Sequence, residues 1–196
     1  RQTHILSAAL VIMITFGVSH LAGLVKTRLL ISHFFGTSAP LLDVYYAAFV
    51  LPDTIFQLLV IGYLSAAFIP VFTKFLSRDE KTAWHIAGSA LNLVLVIFIL
   101  ISALMFLFSH SLSKFIAPGF NPSQVSLLSH LLKIMLLAQF FFCISGFLTA
   151  MIQSHQRFLI PALSPVVYNL GIIAGVIFLS PFLGIYGPAI GAVVGA

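Results

Sequence analysis

Runs of about twenty or more apolar residues recur along this chain, separated only by short polar stretches, and few folds accommodate that pattern. A helix of roughly 20 apolar residues matches the thickness of a bilayer, and a chain in lipid must satisfy its backbone N–H and C=O groups internally. The runs predict a first spanning helix at about Ile5–Ile31, a second at Leu42–Phe75, a third at Trp84–Phe108, a fourth at Val125–Ile152 and a fifth at Leu159–Leu179, with a sixth beginning near Ile185. The expected fold class is therefore all-α: a polytopic transmembrane bundle of about six helices. Residues 1–196 are expected to form one transmembrane domain, a fragment of a longer protein. Pro52 and Pro70 lie inside the second run, where each removes a helix hydrogen bond and predicts a kink.

Composition supports a lipid environment, since 61% of residues are hydrophobic, 7% are charged and the mean hydropathy is +1.17. A soluble domain carries roughly 25% charged residues. The net charge of +5 is spread along the chain without a dense basic face, so nucleic acid is not an expected partner. Cys143 stands alone in an apolar stretch and reads as a packing residue rather than half of a disulfide. His4, His20, His33, His85, His110, His130 and His155 form neither an HExxH motif nor an i, i+4 pair, so no metal or other cofactor is expected. No nucleophile sits at an informative spacing from a base, so catalysis is not expected either. The first apolar run lacks a small-residue cleavage site followed by polar sequence, so it is expected to remain as a helix rather than to be removed as a signal peptide.

Basic residues in short loops set orientation. Arg1, Lys74, Arg78, Lys81 and Arg157 fall on one side of the expected bundle and Lys114 on the other, which places the N-terminus in the cytoplasm. Gly171 and Gly175 form a GxxxG pair, and Gly187, Gly191 and Gly195 repeat the spacing; close packing of helices within the chain is the expected use, and a monomer the expected state.

Ionisable residues within spans are costly and mark sites by default. They are His20, Lys26 and Arg28 on the first helix, Asp43 at the start of the second and Lys133 on the fourth, although Lys26, Arg28 and Lys133 are near enough to helix ends to snorkel. Lys26 and Arg28 are about 200° apart on an ideal helix and can share a cavity only if the helix bends, for which Gly17 and Gly23 are available. Asp43, Thr54, Gln57 and Ser65 fall within about 40° of one direction on the second helix, a polar stripe suited to a water-filled cavity. Asp43 is expected to pair with Lys26 or Arg28. A cationic cavity reached from lipid suits an anionic headgroup, the chemistry of a lipid flippase, because Lys and Arg replace water around phosphate.

Several stretches are similar to one family, the lipid II flippases MurJ or MviN of the multidrug, oligosaccharidyl-lipid and polysaccharide exporter superfamily. The run Asp43, Tyr45, Tyr46, Ala47, Ala48, Phe49, Leu51 and Pro52, continued by Gly62, Ser65, Ala67, Phe68, Ile69, Pro70 and Phe72, resembles the family's second helix. Ala117, Pro118, Gly119 and Phe120 resemble its outer loop, Leu132, Lys133 and Ile134 its fourth helix, and Arg157, Phe158, Pro161, Pro165 and Asn169 its fifth. The resemblance implies the first lobe of a fourteen-helix, two-lobed protein of the bacterial cytoplasmic membrane. It would move undecaprenyl-diphosphate-linked peptidoglycan precursor outward by alternating access.

The same resemblance places Lys26 where the family has an essential arginine and Asp43 where it has an aspartate. His20, His33, Gln57 (or Phe56) and Ile61 replace charged residues of the family. His20, Lys26, Arg28, Asp43 and Gln57 are therefore the expected substrate-binding residues, with Pro52, Pro70 and Gly23 in structural roles. The alternatives are a related exporter of other polyprenyl-linked saccharides or of drugs, and, outside transport, a membrane enzyme or a cell-division scaffold.

Overall fold

The computed structural model describes residues 2–34, 39–63, 67–154 and 159–196, and the side chains within those ranges apart from 2–12, 39, 61 and 159. Arg1, His4, Ile61, Ser65, His155, Arg157 and Phe158, each part of an expectation above, thus lie outside the described residues or side chains.

Helix α1, Gln2–Phe34, is continuous, so the glycines at 17 and 23 do not break it. The second run divides into α2 (Ala39–Phe56), a π-helical turn at Gln57–Ile61, and α3 (Ile69–Leu76). Pro52 lies within α2, and the helix runs through it; the departure from α geometry comes directly afterwards, at the π-helical turn. Pro70 occupies the first turn of α3, where its missing N–H has no intrahelical bond to lose.

Helix α4, Glu80–Leu107, begins at Asp79, whose carboxylate accepts hydrogen bonds from the backbone N–H groups of Lys81 and Thr82 and from the Thr82 hydroxyl. Those bonds, the Thr82 hydroxyl's foremost, hold the Asp79 carboxyl below its usual range. A short amphipathic helix, α5 (Ser109–Ile116), follows; it buries Ser109 and Ser113 and packs against α6, Pro122–Ser154. At the start of α6, Asn121 accepts from the Gln124 N–H while the Gln124 side chain accepts from the Asn121 N–H, a reciprocal cap. The fifth run comprises α7 (Leu159–Ala174), a π-helical turn at Gly175–Leu179, and α8 (Ser180–Leu183); α9 covers Tyr186–Gly195.

Among the described residues, five helical segments are long and apolar enough to cross a membrane: Met13–Phe34, Pro40–Val60, Glu80–Leu107, Pro122–Ser154 and Ile160–Leu183, with Tyr186–Gly195 a shorter apolar helix. Their outer faces expose Phe16, Leu24, Leu58, Leu100, Leu107 and Phe182, which water would not tolerate and lipid does. No strand occurs among the described residues, and the chain is an all-α, multi-pass membrane bundle.

Helix α6 runs through the centre and packs on α2, α4, α5 and α9, while α1 packs on α7. One core gathers Leu30 and Phe34 of α1, Val44, Tyr45 and Ala48 of α2, Leu128, Leu131 and Met135 of α6, and Ile172 with Ala189 and Ala192. A second joins Phe68 and Phe72 to Phe147 and to Ala83, Ala87 and Ala90, with the Phe68 ring 5.2 Å from Phe72 and 5.1 Å from Phe147.

The two GxxxG stretches meet. A Cβ on Gly171 or Gly175 would strike backbone of α9 at Gly191, Gly195 or Gly187, so α7 and α9 touch backbone to backbone, the close intrachain packing their spacing predicts.

Candidate functional site

Lys26 is half-buried on the side of α1 that packs against α7. Two features hold that contact. Gly23 leaves room beside Asn169, whose amide stands 3.7 Å from where a Cβ would be, and Asn169, buried at 8% exposure, donates from Nδ2 to the Ser19 carbonyl at 3.3 Å. Asn169 therefore acts as a helix-to-helix hydrogen bond. One turn further along α1, Lys26 Nζ lies 5.7 Å from the centre of the Tyr168 ring, near enough for a cation–π interaction. The ring offsets part of the cost of holding an ammonium within a span.

Tyr168 links this cation to α2 and α6. Its ring meets Phe142 at 4.9 Å, and Phe142 meets Phe56 at 6.0 Å, so aromatic side chains from three helices form one wall. The Asp53 carboxylate lies within electrostatic reach of the Tyr168 hydroxyl and accepts a 2.8 Å hydrogen bond from Gln57 Nε2, four residues on at the start of the π-helical turn. Below Tyr168 opens a cavity of about 780 Å³ lined by Phe56, Phe142, Ser145, Thr149, Gln153 and Ser164 among others, towards the end of the bundle where α6 stops and α7 starts. The site thus combines a cation, a hydrogen-bonded carboxylate, hydroxyls and aromatic surface above a partly polar cavity.

The residues expected from sequence are only partly gathered here. Lys26 and Gln57 belong to the group. Arg28 does not: it is exposed on another face of the unbroken α1, in a shallow groove with Leu24, Thr27, Ile31 and Ser32. The continuous helix keeps the separation that its 3.6-residue period dictates. His20 is exposed, with Nδ1 2.9 Å from the Phe16 carbonyl of its own helix, and His33 is exposed beside Phe34.

Asp43 is exposed at the start of α2, and among the described residues it forms no ion pair with Lys26 or Arg28. The acid that acts electrostatically on Tyr168 is Asp53, ten residues further along α2. Neither Asp53 nor Tyr168 is singled out in the sequence reading; the i, i+4 spacing of Asp53 and Gln57 is the available signal. Thr54 and Gln57 of the polar stripe are exposed, and Gln57 lies at the π-helical turn, where the ideal 100° phase no longer holds. Three buried polar atoms, Tyr45 Oη, Ser102 Oγ and Gln139 Oε1, make no hydrogen bond among the described residues.

Comparison with known proteins identifies the family of the chain. The family model described as Lipid II flippase MurJ matches residues 31–196. A "Probable lipid II flippase MurJ" of Buchnera aphidicola subsp. Acyrthosiphon pisum is 32% identical over 168 residues, covering 84% of this chain and 32% of that protein. A protein of the same printed name from Thermotoga maritima is 30% identical over 164 residues, 82% of this chain and 33% of its own. The "Lipid II flippase MurJ" of Thermosipho africanus is 27% identical over 192 residues, 98% of this chain and 39% of its own. The chain thus spans about a third of the length of the curated relatives it matches. With a match over most of its length and an all-helical bundle of apolar spans, this chain belongs to the lipid II flippase MurJ family.

Proposed function

We propose that this chain is one transmembrane domain, the N-terminal lobe of a flippase that moves undecaprenyl-diphosphate-linked peptidoglycan precursor across the bacterial cytoplasmic membrane by alternating access. The observation that carries the reading is Lys26, a cation held half-buried above a 780 Å³ cavity by Tyr168. An ammonium kept within a span at that cost suits an anionic ligand, and a diphosphate is the anionic part of such a cargo.

Lys26 makes the first contact, while Asp53, held by Gln57, limits how strongly the empty site attracts other anions. His20 and Arg28 lie on exposed surface of α1 and Asp43 on exposed surface of α2; they meet the cargo in the space that the rest of the protein encloses. The π-helical turn at Gln57–Ile61, between Pro52 and Pro70, is where α2 rearranges as the cavity changes sides. The protein transports without catalysis, acts as a monomer, and has its N-terminus in the cytoplasm; Lys74, Arg78 and Lys81 at the α3–α4 turn then face the positive-inside side.

The test is growth of bacteria depleted of their own lipid II flippase and supplied with the complete protein that carries this chain. Wild type and Lys26→Arg rescue growth, and Lys26→Ala fails to rescue at equal membrane abundance. Rescue by Lys26→Ala equal to wild type removes Lys26 from the site.

A further inference from the structure

On the side of the bundle formed by α4 and α6, a groove of about 590 Å³ is lined by Phe98, Ser102, Ala103, Phe106, Lys133 and Phe140 among others. It takes no part in the cavity below Tyr168. Ile99, Phe106 and Leu107 of α4 and Leu137 of α6, all among its lining residues, are exposed, so the groove opens onto the lipid-facing surface. From Phe98 to Leu107 it extends about 14 Å along α4, close to half of a hydrocarbon core about 30 Å thick. That is the depth of one leaflet.

The polar groups are graded along this length. Lys133, half-buried, stands at the end of the groove where α4 finishes, with Nζ 4.7 Å from the centre of the Phe106 ring. One turn deeper, about 6 Å along the helix, Ser102 Oγ is enclosed and makes no hydrogen bond among the described residues. Beyond it the lining at Phe98 and Phe140 is apolar. Exposed His110 and Lys114 of α5 follow immediately after the end of α4.

A cation at the rim with an apolar slot beneath it matches the order of phosphate and acyl chain in a glycerophospholipid. We propose that the α4–α6 groove binds one anionic phospholipid, with its phosphate at Lys133 and one acyl chain lying along Phe98 and Phe140. Charge complementarity selects this occupant over a packed helix, which would leave Lys133 against apolar surface without a counter-charge. The proposal requires only that the chain be embedded in a membrane and is independent of what the cavity carries.

The test uses the complete protein purified in mild detergent, supplied with phosphatidylglycerol or phosphatidylcholine of identical acyl chains, with retained lipid counted by native mass spectrometry. Wild type retains phosphatidylglycerol in preference. Lys133→Gln lowers that retention about fivefold, the weight of one lysine near an anionic headgroup, and Lys133→Arg preserves it. Ala103→Phe, which fills the groove and leaves its charge intact, lowers retention of both lipids. Equal retention of the two lipids by wild type overturns the proposal. So does phosphatidylglycerol retention that neither Lys133→Gln nor Ala103→Phe changes, whether the groove is then empty or covered by another helix.

Discussion

At the residue scale, the candidate site depends on how two opposite charges are kept in one low-dielectric region without forming a close ion pair. Lys26 is turned towards the Tyr168 ring by the α1–α7 contact at Gly23 and Asn169, and Asp53 is engaged by Gln57. Such an arrangement leaves the ammonium partly unsatisfied, and under the proposed function an incoming phosphate oxygen completes it. Asp53 is the repulsive element. Replacing it by Asn removes one negative charge while keeping an acceptor for Gln57, so Asp53→Asn tightens binding of undecaprenyl diphosphate on the order of fivefold, about 1 kcal/mol for one partly screened charge. Titration of the purified complete protein with that lipid measures the change; unchanged or weaker binding removes Asp53 from the account.

At the element scale, the contact of α7 with α9 is the most demanding among the described residues, because backbone rather than side chains would meet any added Cβ. Gly191→Ala therefore costs about 1–3 kcal/mol through overpacking and lowers the thermal midpoint in detergent. Gly88 on α4 has open space around its Cα, and Gly88→Ala is expected to be neutral or to stabilise by about 0.5–1 kcal/mol through helix propensity. Equal effects of the two substitutions would contradict the packing.

The long helices were legible in the sequence because a span of apolar residues has little choice of structure in lipid, and the role of the GxxxG stretches was legible because only glycine permits that approach. Helix α5 was not: Ser109, His110, Ser111 and Ser113 give it too polar a surface to stand out as a span, and it is held by packing on α6. The π-helical turn at Gln57–Ile61 carries no residue type that announces it. The divergence of Lys26 from Arg28 followed from helical period alone, whereas the meeting of Lys26 with Tyr168 depends on which face of α1 packs on α7, a long-range choice that periodicity does not fix.

At the scale of the whole molecule, the cavity below Tyr168 opens at the end of the bundle that holds the α6–α7 connection, and the lipid groove has its charged rim at the opposite end, by the α4–α5 junction. The proposed orientation puts the first end towards the cytoplasm and the second at the outer leaflet. Exposed positions at both ends test this, since Cys143 is buried and adds little background labelling. In intact cells a membrane-impermeant thiol reagent is expected to label Lys114→Cys, on α5, and to label Arg78→Cys, at the α3–α4 turn, only after permeabilisation; the reverse pattern inverts the topology.

The central claim is that Lys26 holds the diphosphate of a lipid-linked cargo, and the most direct measurement is the affinity of the purified complete protein for undecaprenyl diphosphate, with wild type, Lys26→Arg and Lys26→Ala compared at one ionic strength. Retained affinity in Lys26→Arg with a loss of about tenfold or more in Lys26→Ala is the predicted result, equivalent to about 1.4 kcal/mol or more for the charge-assisted contact. Equal affinity of all three proteins would contradict the account.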